Sequence, residues 1–484
     1  MEKILYYSTN NREEKVNFET ALLNGIASNY GLYMMDRKEI PMFSHRQIFA
    51  MRLMSYAEIA FQVLRPYLWA EIPDKDLQFL LNDAYREDAI PTYVQPVTGK
   101  SHILWLTNGP TFSFKDYAAR FYGRMINYFL GKRGLKRVVI VATSGDTGGA
   151  IADALCGLDN VTAIIFYPNE LISSLQRVQM TTLGKNIYAF AVNGNFDVCQ
   201  ALAKLLNCDK DFAEKLFGDE NIFTSANSIS IGRLLPQAVY PFFAYSRIMN
   251  NSEPFIASIP SGNFGDMVGT VIAKEMGLPV SKILCGVNEN KAFPDFLNTG
   301  IYTVYPSKKC PSSAMDVSHP SNLARLIDFY GGHIHDERDP ITKRVTKEGV
   351  ITRHPDLRAL RKDVFSIGVR NEQHYQTMAD VYKKHGIVLD PHGAVGWRIL
   401  DAFLEGKHDR LAVVYETANP AKFPEDVFLG VGVYPEIPPK LKEQREQKEI
   451  IYTIDSFPDS TPEGLKLSQA QIEETKEKLI KTFS

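Results

Sequence analysis

Residues 255–277, FIASIPSGNFGDMVGTVIAKEMG, decide the fold. FIASIP reads as a buried strand, SGNFGD as a glycine-containing turn, and the rest as a helix opening straight out of that turn, which is the β–α unit of a parallel sheet. A further strand follows at KILCGVN (282–288), and another at RLAVVYET (410–417). Upstream, the same alternation runs through VVIVAT (138–143), SGDTGG, AIADALCG, VTAIIFYP and IYAFAV, with a helix from Asp197. The expected architecture is therefore α/β, with two neighbouring doubly wound parallel-sheet domains.

Toward the N-terminus, Phe18, Ala21, Leu22 and Ile26 recur at helical spacing within 16–31, and Gly31 reads as the C-cap. Helix-like sequence continues to about residue 85, so the N-terminal domain is expected to be mainly helical. The turn-rich stretch REDAIPTYVQPVTGKS (86–101) then marks a boundary. The expected domains are 1–95, 96–245, 246–460 and a C-terminal helical tail, 461–484. Residues 300–375 are polar and punctuated by proline, as in an insertion or lid rather than core sheet. The tail mixes Lys and Glu with prolines and ends in an expected surface helix at 467–482.

Composition narrows the function classes. The 484 residues are 45% hydrophobic and 23% charged, an ordinary globular balance. Lys and Arg number 54 against 56 acids, a net charge of −2, so no global field favours nucleic acid or an anionic membrane. Any anion site is local. The five cysteines are scattered and never spaced CxxC, which argues against a disulfide framework or a zinc site and fits a reducing cytoplasm. The first 15 residues lack the features of a signal peptide, and no apolar run approaches a membrane span.

Three strand-to-helix or turn-to-helix junctions can carry chemistry. In IPSGNFGD, unpaired N–H groups and the helix dipole favour a phosphate or carboxylate; Gly262 and Gly265 admit an anion to the backbone, with Asn263, Phe264 and Asp266 beside it. The alternative is a tight connection with Asp266 as a helix cap. In VATSGDTGGA, Ser144, Asp146 and Thr147 line a second such turn, or merely cap the helix. Neither turn matches the dinucleotide or P-loop fingerprints, which disfavours a nicotinamide enzyme or nucleotidase. In GPTFSFKDYAARF, Lys115 sits in the first turn of a helix whose apolar stripe is Phe114, Tyr117, Ala118, Phe121 and Met125. An amine near a positive helix end and away from water loses its charge more readily, as Schiff-base chemistry requires; a surface lysine is the plainer reading.

In order, GPTFSFKD, ATSGDTGGA, YPNELISSLQRVQMTTLG, SANSISIGRLLPQ, PSGNFGD, DPHGAVG and ETANPAKFP closely resemble the threonine synthase family. The opening YYSTNN with FETALLNGIASNYGLYM, and AMDVSHPSN, resemble the N-terminal segment and insertion of its longer members. The resemblance spans roughly residues 5–430. It implies the tryptophan synthase β-like fold and pyridoxal 5′-phosphate, with Lys115 as the Schiff-base residue and the mobile acid and base. It places the cofactor phosphate on Gly262, Asn263, Phe264, Gly265 and Asp266, and sets Thr417 opposite the pyridine nitrogen. The implied substrate is O-phospho-L-homoserine, converted with water to L-threonine and phosphate. Candidate groups for its two anionic ends are Ser144, Asp146, Thr147, Asn227, Arg233 and Lys422.

Three positions depart from the family pattern: Asn108 and Asn419 stand where histidine is usual, and Gly393 where threonine is usual. Asparagine does not titrate near neutrality, so an acid–base role at either site would be lost. The competing enzyme reading is a phospho-lyase releasing 2-oxobutyrate; that from another class is a catalytically silent α/β binding protein. His333, His335, Asp336 and Glu337 could seed a metal site but read better as a solvated loop, and no metal is expected. His392 is either a turn residue or a ligand contact, and Cys156 is expected in the core. No basic, aromatic-interleaved patch for nucleic acid is present, and no partner protein or oligomeric state can be read.

Overall fold

A computed structural model describes residues 3–170, 172–340, 345–461 and 464–483. Strands β1 (Tyr6–Ser8), β2 (Asn11–Val16) and β3 (Tyr33–Met35) form a small antiparallel sheet in the order β2-β1-β3. Helix Phe18–Asn24 is shorter than expected and stops at Gly25, whose φ of +69° makes the left-handed turn. Gly31 has a different reason to be glycine: a Cβ there would lie 2.0 Å from the Ser8 hydroxyl. Helices Tyr56–Leu68 and Asp74–Ala84 complete the expected helical region, the first started by a Ser55–Glu58 capping box.

The stretch expected to be a boundary contains a hairpin, β4 (Tyr93–Thr98) and β5 (Ser101–Trp105). Then come β6 (Arg137–Ala142), β7 (Val161–Pro168), β8 (Ile187–Val192) and β9 (Phe223–Thr224). The later strands are β10 (Phe255–Pro260), β11 (Val280–Val287), β12 (His333–Arg338), β13 (Val345–Arg353), β14 (Val364–Gly368), β15 (Ala412–Glu416) and β16 (Tyr452–Ile454).

Two compact units emerge, and neither is continuous in sequence. The first comprises Met1–Leu22, Ile26–Ala118 and Ser228–Glu436. Its sheet runs β14-β11-β10-β15-β5-β4, parallel except for β4. Ile103, Ile256, Leu284 and Val414 from this sheet pack with Trp397, Ile399 and Leu400 of helix Pro391–Leu404. The second comprises Leu23–Gly25, Ala119–Asn227 and Ile437–Ser484. Its all-parallel sheet runs β16-β8-β7-β6-β9 over a core that includes Ile140, Phe166, Phe190, Val198 and Leu202.

The observed divisions differ from the expected boundaries because strand pairing ignores sequence order. β5 pairs with β15, Trp105 opposite Glu416, drawing residues 93–118 into the first unit. β16 pairs with β8, drawing the tail into the second. Part of the expected insertion is core sheet, since β14 forms an edge parallel to β11. The segment containing His333, His335, Asp336 and Glu337 is no loop: it is β12, antiparallel to β13, with His333 Nδ1 2.5 Å from Thr352 Oγ1. Among the described residues no group of His, Cys, Asp and Glu is arranged to hold a metal. Cys156 is half-buried, capping helix Asp146–Leu155, rather than in the core.

Candidate active site

The turn after β10 has the form its sequence requires. Phe264 closes it at φ +62°, uncommon for a residue with a side chain, and is held there by burial and an edge contact to Phe293 with ring centroids 4.8 Å apart. Helix Gly265–Glu275 then starts with no side-chain cap, so the positive end of its dipole faces the turn. A Cβ on Gly262 would stand 3.0 Å from the Ala314 carbonyl and 3.1 Å from Met315 Cα; one on Gly265 would stand 2.6 Å from Gln237 Nε2. Both glycines therefore mark close approaches, not unusual dihedrals.

Two of the flanking side chains are otherwise occupied. Asn263 Oδ1 accepts the Ser321 N–H and hydroxyl, both at 3.2 Å, and its carbonyl accepts from Asn322 Nδ2 at 2.9 Å. Asp266 Oδ1 accepts the Met267 N–H at 2.9 Å, within the first turn of the helix. Burial lifts the Asp266 pKa to about 7, opposed by backbone hydrogen bonds and by the nearby charge of Lys115. Residue 266 can offer an anion its backbone, whereas its carboxylate would repel one.

Lys115 is the first residue of helix Lys115–Arg133, its ammonium 4.8 Å from the centroid of the Phe114 ring. The loop before it is stitched to the end of β15. Phe114 N–H donates to the Thr417 carbonyl at 2.8 Å, Asn419 N–H donates to the Phe112 carbonyl at 2.9 Å, and Ser113 bridges Ala418. Thr111 donates from its N–H and hydroxyl to buried Asp116, at 2.9 and 2.5 Å. Lys422, almost wholly buried, donates from Nζ to the Thr111 carbonyl at 2.7 Å. Lys422 thus braces the lysine loop, a role its position in NPAKFP did not suggest. Thr417 is buried beside this junction, and Arg233 is buried in the short helix Ile231–Leu234.

The three unusual positions have local explanations. Asn419 Oδ1 accepts the Ala421 N–H at 3.0 Å, capping the turn Pro420–Lys422. Asn108 contacts the Tyr93 hydroxyl, which holds that phenol back against the rise that burial causes. Gly393 lies against the Glu416 carboxyl. His392 is a connector between segments: Nδ1 lies 2.5 Å from Asp390 Oδ1, and Nε2 accepts the Ala314 N–H at 3.2 Å.

In the second unit, the SGDTGG turn is organised by a residue outside the motif. Thr143 Oγ1 accepts the N–H groups of Gly145 and Gly148 at 2.9 and 2.8 Å. Gly145, at φ +139°, is the N-cap; neither Ser144 nor Thr147 caps the helix. Ser144 is exposed and Thr147 half-buried, while Asp146 accepts from Gln176 Nε2 at 2.9 Å. Asn227 is half-buried at the end of this unit, its N–H 3.4 Å from Ser225 Oγ.

The first unit's residues fit pyridoxal phosphate. Gln237 packs on Gly265 and, among the described residues, its buried Oε1 and the buried Ser113 and Ser230 hydroxyls have no hydrogen-bond partner. Such groups cost stability unless something hydrogen-bonds them, and here they accompany a helix start without a side-chain cap and an amine.

Comparison with known proteins agrees with this chemistry. Residues 5–85 match the family model described as threonine synthase N terminus, and residues 104–415 that described as pyridoxal-phosphate dependent enzyme. The threonine synthase of Pseudomonas aeruginosa is 35% identical over 453 residues, covering 92% of this chain and 94% of that protein. That of Escherichia coli is 33% identical, covering 91% and 94%. The crystal structure of pyridoxal-phosphate-bound threonine synthase from Brucella melitensis superposes with a TM-score of 0.86 at 30% identity, covering 99% of this chain and all of that one.

Proposed function

The chain belongs to the threonine synthase family of pyridoxal-phosphate-dependent enzymes, and on that premise we propose that it converts O-phospho-L-homoserine and water to L-threonine and inorganic phosphate. The observation that supports this most is the direct bond between the two segments the chemistry needs: Phe114 N–H, adjoining Lys115, donates to the carbonyl of Thr417. Those segments are expected to meet the cofactor's reactive carbon and its ring nitrogen.

Bound pyridoxal phosphate supplies the electron-withdrawing imine and ring that make protons on the substrate carbon chain acidic. Lys115 Nζ would hold it, and the same amine would take the substrate Cα proton, assist proton movement at Cβ and return protons afterwards. Phosphate leaves from Cγ, and water adds at Cβ. Phe114, Thr417, Lys422 and Thr111 keep the amine in place by fixing the loop before it. The backbone of Gly262–Asp266 would hold the cofactor phosphate, with Asn263 fixing the turn through Ser321. Thr417, a neutral hydroxyl, would not force protonation of the pyridine nitrogen as a carboxylate would, so more of the stabilisation would come from the surrounding dipoles.

Arg233, buried in the first unit, is suited to hold one of the substrate's acidic groups. Among the described residues no helix is long and apolar enough to cross a membrane. The five free cysteines support a cytoplasmic setting. Lys115→Ala tests the reading: the variant loses both turnover and the yellow absorbance of bound cofactor, and retention of either would overturn the role given to Lys115.

A further inference from the structure

Glu416 ends β15 one residue before Thr417, and its side chain is completely buried. Oε1 accepts the Asp390 N–H at 2.8 Å, while Oε2 has no hydrogen-bond partner among the described residues. The carboxyl occupies the space a side chain at position 393 would need. A Cβ on Gly393 would fall 1.5 Å from Oε2 and 2.4 Å from Cδ, so the Glu416 carboxyl would have to leave its place. Gly393 lies in the first turn of helix Pro391–Leu404 and is not among the glycines of positive φ. Its missing side chain answers to the carboxyl, not to the backbone.

From Glu416 the contacts continue in one direction. Asp390 Oδ1 accepts the His392 N–H at 2.7 Å and faces His392 Nδ1 at 2.5 Å, and Oδ2 accepts the Gly393 N–H at 3.3 Å. His392 Nε2 accepts the Ala314 N–H, which places the ring proton on Nδ1. The Ala314 carbonyl is the group lying 3.0 Å from a Cβ on Gly262. Asp390 gathers three N–H donors and Glu416 only one. Burial and the neighbouring Asp390 charge raise the Glu416 pKa well above the usual range.

We propose that Glu416 is a positioning residue whose carboxyl, seated in the notch left by Gly393, closes a hydrogen-bonded brace, Glu416–Asp390–His392–Ala314, that fixes Thr417 relative to the Gly262 turn. The proposal rests on the reading that these two segments hold the cofactor at its ring nitrogen and phosphate. It makes positions 393 and 416 a matched pair: a side chain at 393 requires a small residue at 416.

The test measures the dissociation constant of pyridoxal phosphate, and the position of its absorbance band, in wild type and four variants. Glu416→Gln keeps the acceptor and the shape, and is expected to match wild type in both readouts. Glu416→Ala leaves the Asp390 N–H unpaired and is expected to bind about tenfold more weakly with a shifted band. Gly393→Thr is expected to lose at least as much, and Gly393→Thr with Glu416→Gly to recover most of it. Glu416→Ala matching wild type would overturn the proposal, as would a double variant no better than Gly393→Thr. If Gly393→Thr does not fold, recovery of folding and cofactor binding in the double variant supports the pairing, and its failure refutes it. Wild type taking up no cofactor would instead overturn the reading of the site itself.

Discussion

Replacing Asp266 by asparagine should stabilise the cofactor-free protein, and by an amount that depends on pH. The carboxyl is 3% exposed, and burial raises its pKa from 3.8 to about 7. Between those values the native state holds a proton that the unfolded chain has released, so stability falls as pH rises and levels off above about 7. A tenfold change in proton affinity corresponds to about 1.4 kcal/mol, so the rise from the ordinary carboxylate range to near neutrality amounts to about 4 kcal/mol at the plateau. Asparagine keeps an oxygen for the Met267 N–H and removes the titration. Urea unfolding of both proteins at half-unit steps from pH 4 to 8 gives the difference directly, since contributions from other groups cancel. The account predicts a gap in favour of Asp266→Asn that widens with pH up to about 7 and then stays constant. A gap that is flat across this range, or that favours wild type at pH 8, would refute the burial argument.

Two other substitutions probe the braces around the site. Lys422→Met removes the bond to the Thr111 carbonyl, so cofactor affinity and kcat should fall together, the affinity by about tenfold; a rise in KM alone would make Lys422 a substrate ligand. Gly262→Val presses a side chain on the backbone at Ala314 and Met315, and overpacking of this kind should weaken cofactor binding by about 10- to 100-fold, as read by equilibrium titration of absorbance; unchanged affinity would move the phosphate elsewhere.

The fold was legible wherever a buried strand ran straight into a glycine turn. FIASIPSGNFGD and VVIVATSGDTGG carry their structure locally, through apolar runs and the few residues that suit the junction. The hairpin β4–β5 was not, because Pro96 and Gly99 read as punctuation; β4 is an edge strand, where proline is tolerated. β14 was hidden because five residues at an edge, amid polar sequence, give little periodicity. Which strand neighbours which is a long-range fact, so the interleaving of the two units had no local trace. At the site, the Gly262–Asp266 turn read from its own residues either as an anion nest or as a tight connection, and Lys115 was singled out only by the resemblance. The roles of Thr143, Lys422 and Gln237 could not be read, as each acts on a distant segment or through a main-chain group. Glu416 did leave a signal, an acid closing the apolar run AVVYE; its meaning needed the matching absence of a side chain at Gly393.

The most direct test of the central claim is product analysis. Cofactor-loaded protein is given O-phospho-L-homoserine, and inorganic phosphate, threonine and 2-oxobutyrate are followed in the same reaction. The account predicts threonine and phosphate released in equal amounts, with Asn108 and Asn419 no obstacle to the addition of water. Phosphate accompanied by 2-oxobutyrate in place of threonine would contradict it and make the protein a phospho-lyase.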